Sequence, residues 1–512
     1  MLENFVIALG NVFEPANFLL MIVGVSAGIV VGALPGLTAT MALAILVPFT
    51  FTMPAAPALI LLGGVYVGAI YGGCIAAILV NTPGTPSAIA TVFDGYPLTK
   101  KGKAEHALVA AAYSSSVGGL IGAIILLLFS PLLANVALEF GPPEYFWLAV
   151  FGLTIIATLA SKSIIKGLMG GALGLLLGTI GISPIGGDMR FTFGFWQLQA
   201  GLQLIVALIG FFCIPEIFNM VERTVEKTKI NLFKHQKGVA WSVIKELTKK
   251  PMLLFRSAII GAFVGIVPGA GGNIAALVSY NEAIRFSKTP EEFGKGTIEG
   301  VAAAEASNNS EVCGSLVPLL TLGIPGAAPA AVLLGALMLQ GLRPGPELFT
   351  VFGEITYTFL ISLIFANIAL FFLGYYGSRF VARVINISPA YLAPIIVFMC
   401  VIGSYSIRNN MLDVYIMVLF GLIGYVTRKL GYHPGPIVLG LILGTIAENG
   451  LVQSMLMGKA QGNMIAMFFT RPISIVLIIL CLISAAWPFI SDRRQKKIEE
   501  MKKRLGGETH AN

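Results

Sequence analysis

The stretch GALPGLTAT (Gly32–Thr40) interrupts an apolar run with a proline-glycine pair, and LVNTPGTPSA (Leu79–Ala88) does so again. A second pair of such stretches follows later, GIVPGAGGN (Gly265–Asn273) and TLGIPGAAPAA (Thr321–Ala331). A helix that breaks inside a bilayer leaves peptide groups unpaired, so the break survives only where protein or a water-filled cavity covers it. Paired breaks at corresponding places in two halves are typical of a transporter's substrate site.

The composition indicates a membrane protein. The chain has 512 residues, of which 56% are hydrophobic and only 11% are charged, and its mean hydropathy is +0.86. Soluble domains carry about 25% charged residues. We therefore expect a polytopic membrane protein. Its formal net charge of +8 does not indicate nucleic-acid binding, because the basic residues cluster in loops and the tail, as the positive-inside rule expects.

No catalytic or metal-binding pattern stands out. The five cysteines are far apart and form no CxxC pair, and the four histidines form no HExxH motif. A disulfide framework, a zinc site and a hydrolase are therefore not expected, and we predict that the chain is not an enzyme and has no cofactor.

The breaks predict an all-α polytopic membrane protein with two inverted-topology repeats, each with a helical hairpin and an interrupted transmembrane helix. The loop between the two breaks is uncharged in the first half and basic in the second, whereas the loop after the second break is basic in the first half and has only Arg343 in the second. By the positive-inside rule, the two halves are therefore expected to have opposite orientations in the membrane. The predicted divisions are a first membrane half (1–222), a basic cytoplasmic linker (223–252), a second membrane half (253–490) and a basic cytoplasmic tail (491–512).

The first break of each half is expected to be a hairpin tip, and the second to interrupt a crossing helix. Each hairpin arm looks short for a full span: 18–34 and 38–51 in the first half, 253–267 and 273–286 in the second. We call residues 35–36 and 268–272 the first and second tip. Residues 83–86 and 325–329 are the first and second helix break.

The tips and breaks are the predicted substrate site. Freed N–H groups at a helix N-terminus, together with the helix dipole, suit an anion such as a carboxylate, and Thr85 or Ser87 is expected to cap the half-helix that follows. The other interpretation is that the prolines only kink helices and the glycines only permit close packing. The predicted substrate-binding residues are Pro35, Gly36, Thr38, Asn81, Thr82, Gly84, Thr85, Ser87, Gly269, Gly271, Gly272, Asn273, Pro325 and Gly326.

A polar segment, residues 305–311, lies within an otherwise apolar stretch of membrane length. Polar groups at that depth normally face a cavity and serve a function, unless the helix begins later and the segment is a loop. Neutral oxygens suit Na⁺ or a substrate carboxylate, and a glutamate suits a coupling proton. The segment is therefore compatible with coupling to either Na⁺ or H⁺. The candidates for ion coupling are Ser307, Asn308, Asn309, Ser310, Glu305 and Glu311.

At these residues the chain resembles the large membrane subunit of the tripartite tricarboxylate transporters, the TctA family. The resemblance covers nearly the whole chain, and the stretches that carry it are GALPGLTATMALAILVPFTF (32–51), YGGCIAAILVNTPGTPSAIATVFDGYPL (71–98), GIVPGAGGNIAALVSYNEA (265–283) and EVCGSLVPLLTLGIPGAAPAAVLLGALMLQGLRPGP (311–346).

The resemblance implies an ion-driven secondary importer of citrate or related carboxylates in a bacterial inner membrane. It also implies two partners, a small TctB-like membrane subunit and a periplasmic TctC-like solute-binding protein. The absence of a Walker A motif fits ion-driven transport. Two alternatives remain: a solute channel, and a docking or assembly subunit without a transport site of its own.

Overall fold

The computed structural model describes residues 2–159, 164–183, 186–222, 237–385, 387 and 389–486, and these are almost entirely α-helical. Seven of the described helices are long and apolar enough to cross a membrane. The prediction of an all-α membrane fold is confirmed, while the inverted repeats remain a prediction. The predicted tail (491–512) and residues 223–236 of the predicted linker lie outside the described residues.

The helices are numbered in chain order. Those before residue 223 are α1 (Leu2–Val12), α2 (Pro15–Ala33), α3 (Ala39–Thr50), α4 (Ala55–Val80), α5 (Ile89–Lys100), α6 (Ala104–Ala137), α7 (Pro142–Leu159), α8 (Ile164–Gly178), α9 (Leu204–Leu208) and α10 (Ile214–Glu222). A π-turn, Ile209–Cys213, joins α9 to α10. A two-residue antiparallel ladder pairs β1 (Gly181–Ile182) with β2 (Met189–Arg190).

The first of the later helices lies in the C-terminal part of the predicted linker. They are α11 (Val239–Thr248), α12 (Pro251–Ile266), α13 (Gly271–Phe286), α14 (Ile298–Leu322), α15 (Ala328–Leu339), α16 (Pro346–Thr350), α17 (Gly353–Val384), α18 (Pro389–Ser406), α19 (Met411–Lys429), α20 (Pro434–Ala460) and α21 (Met464–Phe469). A last described helix, α22, covers Pro472–Ala486.

By their internal contacts the residues form two units. Unit 1 contains Met1–Glu139 and Gln203–Lys429, and unit 2 contains Phe140–Leu202 and Leu430–Asn512. Both tips and both helix breaks lie in unit 1. In unit 2, α20 packs on α7 and α8, and Arg190 forms a 2.7 Å ion pair with Glu448. That pairing accounts for an acidic residue within the apolar α20.

Glycines bring α2 into backbone contact with α4. Gly24, Gly28 and Gly32 follow one another at four-residue intervals, so they share one face of α2. A methyl group at Gly28 would lie 2.8 Å from the backbone nitrogen of Ala69, and one at Gly68 would lie 3.0 Å from that of Ile29. Small residues at such spacing let membrane helices approach closely. The first hairpin therefore rests directly on the helix that carries the first break.

The second hairpin packs in the same way. Methyl groups at Gly261 and Gly265 of α12 would meet the backbone of α14 at Ser307 and Glu311, and one at Gly314 of α14 would lie 2.9 Å from Cα of Ala262. Each hairpin thus packs its first arm on the interrupted helix of its own half. One expectation was wrong: α2 has 19 residues and is long enough to span a membrane by itself.

Candidate substrate and ion site

The two helix breaks share a left-handed residue and a hydrogen bond back to their own helix. After α4, Asn81 adopts the left-handed conformation (φ 60°) and Gly84 donates its N–H to Gly73 O at 3.1 Å. After α14, Gly323 is left-handed (φ 72°) and Gly326 donates to Ser315 O at 3.2 Å. Each pair of equivalent residues is 242 positions apart in the chain. The breaks are therefore ordered turns folded back on their own helices.

Close packing explains why a glycine follows each proline. A methyl group at Gly84 would overlap Gly32 O and lie 3.0 Å from Cα of Gly73. One at Gly326 would overlap Gly265 O and lie 2.7 Å from Cα of Ser315. Since these neighbours are all backbone atoms, no rotamer change relieves the clash. Each break is held against the end of the hairpin arm of its own half.

The two hairpin tips also begin alike. Leu34 and Val267 are both extended, and each donates its N–H to the carbonyl three residues earlier at 3.1 Å. Gly36 (φ 95°) and Gly269 (φ 80°) then take conformations that favour glycine. Beyond this point the tips diverge, because Gly269 donates to Gly326 O of the second break at 2.8 Å.

The surroundings of the tips differ. A methyl group at Gly36 would lie 3.3 Å from Met220 Cγ and 4.0 Å from Glu216 Oε1, both on α10. One at Gly272 would lie 2.7 Å from Asn308 Oδ1, 2.9 Å from Ser87 Cβ and 3.3 Å from Glu311 Oε2. The second tip thus meets the first break and the polar segment of α14, whereas the first tip lies against α10.

The predicted substrate-binding residues differ in exposure. Around the first break, Asn81 and Thr82 are exposed and Gly84, Thr85 and Ser87 are buried. At the second break, Pro325 and Gly326 are buried. At the tips, Gly272 is buried and Asn273 is exposed, while the others are half-buried: Pro35, Gly36, Thr38, Gly269 and Gly271.

The expected capping of the half-helix by Thr85 or Ser87 does not occur. The two side chains instead hydrogen-bond each other, Oγ1 to Oγ, at 3.0 Å, and neither the turn at Pro86–Ala88 nor α5 has a side-chain cap. The N-terminus of α13 has none either. By contrast, Thr38 caps α3 by accepting the N–H of Met41 at 3.2 Å. The first N–H groups of a helix have no partner within it, so the uncapped N-termini can bind an anion.

Asn308, Glu311 and Ser315 form a polar stripe along one face of α14, since residues three and four apart are neighbours on a helix. Residues 305–311 are all helical and buried, so the late-start alternative is wrong. At one end of the stripe, Asn308 and Glu311 surround Gly272. At the other, Ser315 Oγ hydrogen-bonds Tyr66 OH at 3.0 Å and its carbonyl accepts from the second break. The stripe connects both breaks with the second tip.

The other coupling candidates face different neighbours. Ser310 donates to Ala258 O at 2.7 Å, and Asn309 donates through Nδ2 to Val67 O at 3.4 Å. Glu305 accepts hydrogen bonds from Thr91 Oγ1 and, at 2.9 Å, from Ser115 Oγ. Ser307 Oγ has no hydrogen-bond partner. The structure therefore separates the stripe from Ser307, which has no partner, and from three residues that fasten α14 to α4, α5, α6 and α12.

Three buried polar atoms of the stripe are unpaired. Asn308 is fully buried and neither its Oδ1 nor its Nδ2 has a hydrogen-bond partner, and Glu311 Oε1 is also unpaired at 1% exposure. Buried polar groups are nearly always hydrogen-bonded, so each exception needs an explanation. None of the ion pairs among the described residues includes Glu305 or Glu311.

Sequence reasoning missed several residues that shape this region. Asp94 of α5 is fully buried, accepts from the backbone N–H groups of Gly296 (2.7 Å) and Thr297 (3.0 Å), and accepts from Tyr280 OH at 2.8 Å. It thereby joins the helix after the first break to the start of α14. The signal was present, because Asp94 is a lone acid between apolar residues. Tyr66 gave no comparable signal, since a tyrosine in an apolar helix is ordinary core.

Comparison with known proteins identifies the family. Residues 18–439 match the model of the tripartite tricarboxylate transporter TctA family. The chain is 36% identical over 508 residues to an Agrobacterium vitis protein described as "Uncharacterized 52.8 kDa protein in TAR-I ttuC' 3'region", covering 98% of this chain and 99% of that protein. An "Uncharacterized protein in TAR-II ttuC' 3'region" of the same organism is 36% identical over 243 residues, which is 47% of this chain and 99% of that protein. No solved structure matches the chain.

Proposed function

This chain belongs to the tripartite tricarboxylate transporter TctA family, and from that premise we propose that it is the subunit that carries the substrate across the membrane. It imports tricarboxylates or related carboxylates and is driven by a gradient of Na⁺ or H⁺. As a member of this transporter family it is a multi-pass membrane protein and not an enzyme. Family membership implies two partners, a TctB-like small membrane subunit and a TctC-like binding protein.

One observation carries this proposal: the second tip meets the first break beside the polar stripe. Gly272 is at the N-terminus of α13, and Ser87 is in the turn that leads into α5. Two helix N-termini without side-chain caps thus come together in the buried interior of unit 1. Their dipoles and N–H groups favour a negative charge, and a carboxylate is such a ligand.

The site would bind its substrate through few side chains. The Ser87 hydroxyl and the amide of Asn308 can donate hydrogen bonds to carboxylate oxygens, and charge-assisted hydrogen bonds are the stronger kind. Among the described residues, no lysine or arginine forms an ion pair with Glu305 or Glu311 of α14. The affinity for an anion therefore depends on backbone dipoles and on a neutralised Glu311.

We propose that the two halves are inverted repeats that provide alternating access. The matching backbone of the breaks supports this, as do the equivalent contacts of α2 with α4 and of α12 with α14. Opposite charge patterns in the loops support the inversion. In such transporters one part moves against the other around a site near the midplane. The basic linker and tail would face the cytoplasm in a bacterial inner membrane.

The test is transport of radiolabelled citrate into vesicles that contain the full chain with the TctB-like and TctC-like proteins of the same genome. We expect saturable uptake that depends on a Na⁺ or pH gradient, together with exchange of internal for external citrate. Flux that does not saturate and ignores both gradients would favour a channel.

A substitution at the second tip tests whether this chain contains the site. Gly272→Ala places a methyl group against Asn308 and Ser87, so we expect citrate uptake to fall about 100-fold or more, as displacement of a positioned group by about 1 Å does in enzymes. Gly377→Ala in α17 is the control, because its methyl group meets nothing within 4 Å. Normal uptake with Gly272→Ala in an assembled complex would favour a docking subunit.

A further inference from the structure

We infer that Glu311, together with Asn308, is the site of the coupling cation, and that this cation must bind before the carboxylate substrate. The inference rests on the proposed function and deepens it. It assigns the coupling charge to one of the two buried glutamates of α14 and gives a physical reason for coupling. The ligand is a single positive charge, either Na⁺ or a proton.

Glu311 is a buried acid without a partner. Its side chain is 1% exposed, its Oε1 has no hydrogen bond, and it belongs to no ion pair among the described residues. An isolated carboxylate is costly in an apolar interior unless it is paired or neutralised. Tyr66 of α4 and Cys313 of α14 are the titratable side chains whose charge interacts with it, and both are neutral when protonated. Glu311 therefore requires a cation.

Glu305 differs although it is on the same helix. Hydroxyl groups of Thr91 and Ser115 donate to its two oxygens. These donors come from α5 and α6, so Glu305 holds two helices against α14. Its polar atoms are already satisfied. We assign Glu305 as a positioning residue.

Asn308 completes the cation site. It lies one helical turn before Glu311, and both side chains surround the same residue, Gly272, on α13. Its unpaired Oδ1 can join Glu311 in binding Na⁺, a cation that such sites hold through oxygen atoms. Its unpaired Nδ2 or Oδ1 can instead hydrogen-bond a protonated Glu311, because an amide offers both a donor and an acceptor. Both forms of the cation fit this pair.

The order of binding follows from the position of the substrate site. The helix N-termini that favour a carboxylate meet at Gly272 and Ser87, next to Glu311. Two negative charges held close together in a medium of low dielectric constant repel each other strongly. A substrate anion and a charged Glu311 are therefore incompatible, and a neutralised Glu311 permits the anion to bind. Coupling results because the bound cation raises the affinity for the anion, and the anion raises the affinity for the cation by the same factor.

The experiment compares Glu311→Gln with Glu305→Gln in the reconstituted complex, with citrate as the probe. We expect Glu311→Gln to lose citrate accumulation driven by either gradient, and the exchange that remains to be independent of Na⁺ and pH. Glu305→Gln should keep its dependence on the cation although its stability falls. The wild type identifies the cation: stimulation of exchange by Na⁺ at constant pH indicates sodium, and stimulation by acid without Na⁺ indicates a proton.

A second variant and a binding measurement keep the inference testable if Glu311→Gln does not fold. Asn308→Ala should raise the Na⁺ or proton concentration for half-maximal exchange about tenfold, as loss of a supporting contact does at a metal site. Stabilisation of the purified wild-type chain by Na⁺ or acid should require about tenfold more Na⁺ or protons in Asn308→Ala. Gradient-driven accumulation by Glu311→Gln, or unchanged cation dependence in Asn308→Ala, would overturn the inference. Absence of citrate exchange in the wild type would contradict the proposed function instead, and the stabilisation measurement would still test the cation site.

Discussion

The first and second helix breaks share a backbone turn but differ in side chains and exposure. The first break and its flanks read NTPGTPS, with Asn81 and Thr82 exposed, whereas the equivalent stretch of the second reads GIPGAAP, with Gly323 and Ile324 buried. The turn thus depends on the proline and glycine that both breaks share, and the polar side chains are an addition at one of the two places. The first break can bind substrate through hydroxyl groups, while the second offers only its backbone.

The largest effect is expected from the feature that both breaks share. Gly84→Ala and Gly326→Ala each place a methyl group against backbone atoms. Overpacking usually lowers the free energy of unfolding by about 1–3 kcal/mol, and overlap with backbone atoms that cannot move aside should bring the loss to about 3 kcal/mol or more. We expect both variants to be destabilised to a similar extent in thermal unfolding in detergent, with Gly377→Ala as the control. If only one of them were destabilised, the two turns would not be equivalent.

A smaller effect is expected from the feature that distinguishes the first break. Ser87→Ala removes a hydroxyl group next to Gly272 and Asn308, and loss of a hydrogen bond to a charged group costs about 1.5–3 kcal/mol, which is roughly tenfold or more in affinity. We therefore expect the KM for citrate to rise about tenfold in the reconstituted complex.

Ser279→Ala is the matched control for Ser87→Ala. Ser279 of α13 is also buried, but its Oγ donates to the backbone carbonyl of Ala303 at 3.0 Å. Its removal should lower stability and leave the KM for citrate unchanged. An equal rise in KM for both variants would mean that Ser87 acts only through packing.

The smallest effect is expected when Asn81 is replaced by glycine, the residue at the equivalent position of the second break. Asn81 has φ 60° and its equivalent Gly323 has φ 72°, and glycine adopts this conformation readily whereas asparagine tolerates it. Asn81→Gly should change the free energy of unfolding by less than about 1 kcal/mol, because relief of strain and the added freedom of the unfolded chain oppose each other. A larger loss in thermal unfolding would show that the Asn81 side chain stabilises the turn.

The sequence predicted the interrupted helices because proline and glycine act locally. Pro83 and Pro325 prevent the helix from continuing, and the helices end close to where the apolar periodicity stops. Helix α14, for example, ends at Leu322, three residues before Pro325. The polar segment at 305–311 was also recognisable, since seven consecutive residues with two acids are unusual in a buried stretch.

The sequence could not predict which residues of that segment belong to the site and which hold helices together. Glu305 and Glu311 have the same side chain on the same helix, and only tertiary contacts distinguish them. Thr91 and Ser115, which bond Glu305, are distant in sequence and belong to different helices. The position of the first tip against α10, away from Gly272, likewise depends on packing between distant segments. Propensity and periodicity contain no information on such contacts.

The central claim is that the two breaks belong to one site that opens alternately, and labelling of equivalent cysteines tests it most directly. Thr82→Cys and Ile324→Cys are placed at exposed and buried positions of the same turn, and the five native cysteines are all buried. A membrane-impermeant maleimide should label position 82 and spare position 324, and reversal of the ion gradient in the presence of citrate should invert this pattern. Labelling that stays the same at both positions under every gradient would contradict the account.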